Sequence, residues 1–120
     1  MNDKVFNILK IEMTSEGKYI SEIIINEKHD VFKGHFPDKP ILPGVLMIAV
    51  IGSVLEKVTN EKRMMVEGEN IKYLSVVDPT VDSRLTVDLS VKINDNNYYE
   101  VKSSLLNGEK TFMKFKGKFS

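Results

Sequence analysis

Apolar and polar residues alternate most regularly in RLTVDLSVKI (84–93). Leu85, Val87, Leu89, Val91 and Ile93 fall on one side; Arg84, Thr86, Asp88, Ser90 and Lys92 fall on the other. A period of two predicts a half-buried antiparallel strand. Residues 5–13 are mostly apolar and residues 18–26 (KYISEIIIN) are rich in isoleucine. They read as a strand pair turning at Glu16-Gly17. Residues 64–77 carry apolar side chains along their length with a break near Gly68, and residues 98–106 and 111–119 complete the strands. Asp95-Asn96-Asn97 has turn chemistry, and Asn107-Gly108 is a strong hairpin signal. Residues 43–59 depart from this pattern. They are apolar nearly all the way round over 45–51, which predicts a buried helix. Pro43 suits the first helical position, and Asn60 is a suitable stop because Asn tolerates the left-handed conformation. Two strands, one helix and three or four antiparallel strands make an α+β arrangement, a helix buried by one curved sheet.

Composition narrows the function classes. The 120 residues fit a single domain, 1–120, with no repeat and no linker. Lys plus Arg and Asp plus Glu are both 17, so no overall field favours nucleic acid or an anionic membrane. The chain has no cysteine, which excludes disulfides, thiolate catalysis and cysteine metal sites. With two histidines, no metal site and no cofactor are expected. The start MNDKVFNILKIEM has no long apolar core and no small-residue cleavage site. The longest apolar run, 45–51, is far short of a membrane span. The expected location is cytoplasmic.

The stretch GHFPDKPILPGVL (34–46) concentrates three prolines, two glycines and a histidine before the helix. Leu42, just before Pro43, has no side chain able to cap, so the first-turn N–H groups lack a local acceptor. Gly44 has no side chain, so another oxygen can come close to the backbone there. Two readings stand: a loop carbonyl or water fills the gap, or the N–H groups receive an oxyanion or polarised carbonyl. His35 is either a polar loop residue or an acid–base group held rigidly by Pro37 and Pro40.

This segment resembles the signature of the FabZ/FabA-type 3-hydroxyacyl-acyl-carrier-protein dehydratases, G-H-F-P-G-x-P-(I/V)-(M/L)-P-G-V-L, with one interior departure at Asp38. IKYLSVVDPTVDSRLTVDLSV resembles that family's later strand pair loosely. The resemblance implies a hotdog fold, an antiparallel sheet wrapped round one long central helix, dimerising with active sites at the interface. It also implies that His35 removes the proton alpha to a thioester carbonyl and that the Gly44 N–H polarises that carbonyl. The family's Glu or Asp, fourteen residues after the histidine, is Ala49 here, and the Gln often found four residues later is Ser53. A methyl group cannot protonate a departing hydroxide, and such assistance is typically worth ~10²–10⁴ in rate, so dehydration is expected to be impaired.

Asp38 is the candidate substitute acid or imidazole-orienting group, against a plain turn residue. Glu56 is nearly on the Ala49 face but about 10 Å further along the helix, and reads as a solvated position. His29 reads as an exposed turn residue. Phe36, Val45, Met47 and Ser53 are candidates to line the substrate, Met47 equally a core filler. Three functions follow. The first is a dehydratase of fatty-acid or related acyl-chain biosynthesis, acting on an acyl thioester of acyl carrier protein or CoA. The second is a non-catalytic hotdog subunit that binds acyl thioesters or pairs with an active partner. The third is a hotdog thioesterase. The expected assembly is a homodimer, a higher oligomer or a heterodimer with a related dehydratase.

Overall fold

The computed structural model describes residues 4–32 and 40–120. Its order is β1 (Phe6–Ser15), β2 (Lys18–Ile25), a 3-10 turn at Asp30–Phe32, α1 (Gly44–Thr59), β3 (Met65–Tyr73), β4 (Arg84–Ile93), β5 (Tyr99–Asn107) and β6 (Lys110–Phe119). The six strands form one antiparallel sheet in the order β1-β2-β4-β5-β6-β3. Among the described residues β3 pairs only with β6 and is an edge. This is the hotdog fold that the sequence motif led us to expect.

The alternating strand is confirmed by burial. Leu85, Val87 and Leu89 are buried, while Ile93 at the far end is 58% exposed, so the inward face runs out before the strand does. Opposite lie Ile23 and Ile25 from β2, Val101 and Leu105 from β5, and Met113, Phe115 and Phe119 from β6. Against them α1 sets Met47, Val50, Ile51, Val54 and Leu55, a stripe at helical spacing. Burial of each such side chain contributes about 1.5–3 kcal/mol. The buried hydroxyls are bonded, Ser21 Oγ donating to the Lys10 carbonyl and Ser103 Oγ to the Asp88 carbonyl.

Four local details differ from the sequence reading. Pro43 is the N-cap and not the first helical residue: its ψ of 145° is extended, and its carbonyl accepts from the Leu46 and Met47 N–H groups. The helix is not buried all round. Val45 is 72% exposed and Ala49 is also exposed; four residues apart, they form an open apolar strip. β3 is not broken at Gly68 but carries bulges at Met65/Glu67 and Gly68/Asn70, which bend a strand without ending it. The last hairpin turns on Gly108-Glu109, because Asn107 still pairs with Lys110. Glu16-Gly17 does make its turn, with Gly17 at φ 75°, and Asn60 ends the helix at φ 57°.

Candidate functional site at the start of the central helix

Gly34, His35, Phe36, Pro37 and Asp38 lie outside the described residues, so the site is built here from its helix side. Leu42 is buried and its N–H donates to the Val77 carbonyl at 2.9 Å. This bond ties the segment entering α1 to the segment leaving β3. No side chain caps the helix at Pro43, as the sequence implied.

The flank that Gly44 opens is occupied by a neighbour. A Cβ built on Gly44 would lie 2.7 Å from Cζ of Tyr73 and 2.8 Å from its Cε1 and hydroxyl oxygen. Real Cβ atoms do not make such contacts, so glycine is required for the Tyr73 ring to lie across the helix start. Tyr73 ends β3 opposite Met113. The next two N–H groups, of Leu74 and Ser75, both donate to the Phe112 carbonyl at 2.8 and 3.2 Å. These bonds fix the backbone that carries the phenol; Tyr73 itself is 52% exposed. Sequence reasoning missed Tyr73 because 29 positions separate it from Gly44; its only signal was its place in the loosely matching IKYLSVV stretch.

The other candidates separate. Met47 is 2% exposed and is packed as core. Val45 and Ala49 share the open strip, and Ser53, a further four residues on, lines a cleft of about 680 Å³ between α1 and β1 with Phe6, Ile8 and Glu56. Glu56 is not a free, solvated carboxylate: it accepts from the Arg63 N–H at 3.0 Å, while the Arg63 guanidinium bonds Thr59, Glu61 and the Tyr99 hydroxyl. Arg63 thus closes the far end of α1, and Glu56 stays with it. His29 Nδ1 accepts from the Val31 N–H at 3.0 Å, shaping the turn before Phe32. Among the described residues, no group of three His, Cys, Asp or Glu is placed to hold a metal, and no helix is long and apolar enough to cross a membrane.

On the outer face of the sheet, Asp88 is half-buried, and burial pushes its carboxyl above the ordinary value of 3.8. The Ser104 N–H, donating at 2.7 Å, and nearby Lys114 oppose that shift.

The ApeI-like family model, described as ApeI dehydratase, matches residues 11–114. The chain belongs to the ApeI-like dehydratase family. It is 30% identical over 94 residues to the 3-hydroxyacyl-[acyl-carrier-protein] dehydratase FabZ of Rickettsia felis, covering 70% of this chain and 63% of that protein. It is 34% identical over 71 residues to the same enzyme of Agrobacterium fabrum, covering 59% and 44%. The chain thus spans less than two thirds of the length of these relatives. In structure it is similar to a chain of the dehydratase heterocomplex ApeI:P from Xenorhabdus doucetiae, with a TM-score of 0.67 and 19% identity over 94% of this chain and 96% of that one. It is also similar to a mutant of the thioesterase PA1618 from Pseudomonas aeruginosa, with a TM-score of 0.65 and 12% identity over 93% and 78%. At these identities the two structures speak for the fold alone.

Proposed function

We propose that this ApeI-like protein acts on 3-hydroxyacyl or trans-2-enoyl thioesters, carried by acyl carrier protein or CoA, as a FabZ-like dehydratase. Its half-site is His35 as base and the Gly44 N–H as carbonyl polariser; the carboxylic acid comes from elsewhere. The observation that carries this reading is the dehydratase signature at 34–46, intact apart from Asp38, followed by Ala49 where the acid belongs.

The exposed strip of α1 favours a partner subunit as the source of the acid. Val45 and Ala49 face outward from the single chain, and Leu74 and Val76 leave β3 53% and 60% exposed. Apolar side chains gathered in this way mark an interface. In a dimer of the kind the dehydratase resemblance implies, the active sites fall at the interface, and this exposed strip is our candidate for part of it. In a mixed dimer a Glu or Asp on the partner's helix would complete the site built on His35 of this chain. This agrees in kind with a structural relative being one chain of a dehydratase heterocomplex.

The test is turnover of a trans-2-enoyl thioester by the pure protein, alone and mixed with a dehydratase-like chain bearing the acid. Hydration that appears or rises at least tenfold on mixing supports the partner reading. Strong hydration alone points to a local acid such as Asp38, and hydrolysis without hydration selects a thioesterase. No reaction and no thioester binding in either state overturns the proposal.

A further inference from the structure

The phenol lying across Gly44 has a consequence for the chemistry of the site. We propose that the Tyr73 hydroxyl is a second hydrogen-bond donor to the thioester carbonyl oxygen that the Gly44 N–H receives. This rests on the reading that an acyl thioester lies at the start of α1.

The packing against Gly44 is made largely by ring carbons, Cζ at 2.7 Å and Cε1 at 2.8 Å from the absent Cβ position. Phenylalanine would fill the same space. What tyrosine adds is an oxygen at 2.8 Å from that position, beside the backbone of an uncapped helix start. Among the described residues this hydroxyl has no hydrogen-bond partner, so its proton is free for a ligand or water.

A carbonyl oxygen has two lone pairs and accepts two donors. The Gly44 N–H serves one, and the Tyr73 hydroxyl, lying on the open flank of Gly44, serves the other. As the alpha proton leaves, negative charge grows on that oxygen, so a donor held ready there lowers the barrier. The pairing of Tyr73 with Met113 and the bonds from Leu74 and Ser75 to Phe112 fix the backbone from which the phenol reaches across Gly44. Tyr73 keeps its proton throughout, and it does not replace the missing acid. The acid for the leaving hydroxyl comes, on the reading above, from a partner's helix, and the phenol's part is limited to the carbonyl.

The experiment compares the parent protein with Tyr73→Phe, in whichever assembly turns over. Hexa-2,4-dienoyl-CoA is the spectroscopic probe and a trans-2-enoyl-CoA the substrate. Polarisation of the carbonyl shifts the dienoyl absorption to longer wavelength. Tyr73→Phe should melt like the parent, bind the probe with a smaller red shift, and lose about 10–100-fold in kcat with KM changed less than threefold. Equal red shift and equal kcat in a normally folded variant would falsify the role of Tyr73 while leaving the thioester function standing. A parent that neither binds the probe nor turns over, alone or mixed, defeats both. If Tyr73→Phe folds poorly, 3-fluorotyrosine at position 73 keeps the ring and makes a stronger donor. A band that moves further to the red supports the role, and an unmoved band overturns it.

Discussion

Replacing Ala49 with glutamate asks whether the proton donor alone is missing. Ala49 is exposed on the open strip of α1, so the new side chain meets no sealed core and escapes the desolvation penalty of a buried carboxylate. Loss of helix propensity from Ala to Glu stays below about 0.7 kcal/mol. The stability change should therefore be small, a shift of a few degrees at most in the melting temperature. A positioned acid typically contributes ~10²–10⁴ in rate, which is about 2.7–5.4 kcal/mol at about 1.36 kcal/mol per tenfold step. The same-chain glutamate stands about 7.5 Å past Gly44 and on another face, so in a homodimer it serves the site across the interface. We expect Ala49→Glu to raise hydration of a trans-2-enoyl thioester at least tenfold, followed by loss of enoyl absorbance. His35→Ala added to it should remove the gain. A variant that folds and assembles normally, yet turns over within twofold of the parent, refutes the idea that the half-site lacks only its acid. A pure binding subunit would then be the better description.

Three further outcomes follow. Leu55→Ala empties a fully buried helix position and should destabilise the fold by about 2–5 kcal/mol, read as a lowered urea midpoint with unchanged slope. Val45→Asp places a charge on the 72% exposed strip and should leave the chain folded while weakening the proposed dimer in sedimentation; a parent that sediments as a monomer, or a variant as dimeric as the parent, would refute an interface at this strip. Asp88 holds its proton more tightly folded than unfolded, so its contribution to stability falls as pH rises from 3.8 through the higher folded value. Asp88→Asn should therefore be more stable than the parent at pH 7, and urea midpoints of the two should converge below about pH 3.8.

The strands were legible because burial on one face forces a period of two, and 84–93 carries that period without exception. Asn60 and Gly17 were legible because few residues accept a positive φ. The open face of α1 was not. Composition says that 45–51 avoids water, but it does not say whether sheet or partner excludes it, and Val45 looks in sequence like its buried neighbour Val50. The final turn slipped by one residue because of the irregularity at Leu105/Leu106, which leaves Phe112 and Met113 both buried where strict alternation would expose one. At the candidate site, the motif pointed to His35, Gly44 and Ala49; of these, His35 lies outside the described residues, and the structure describes only the uncapped helix start at Gly44 and the exposed Ala49. Tyr73 is a fact of topology: β3 crosses to the far edge of the sheet, and only there does its last residue meet the helix start.

That same crossing sets a delay during synthesis. β3 is made directly after α1, but its one sheet neighbour, β6, does not begin until Lys110. At 5–20 residues per second, roughly forty residues take about 2–8 s. For that interval β3 has no β6 to pair with, Tyr73 is not yet fixed by the sheet, and Met65, Val66 and Ile71 wait with both strand edges bare. The nascent chain is then open to any other strand that arrives first. A partner translated close by would meet β3 before β6 does, and pairing at that moment would settle which two chains stay together.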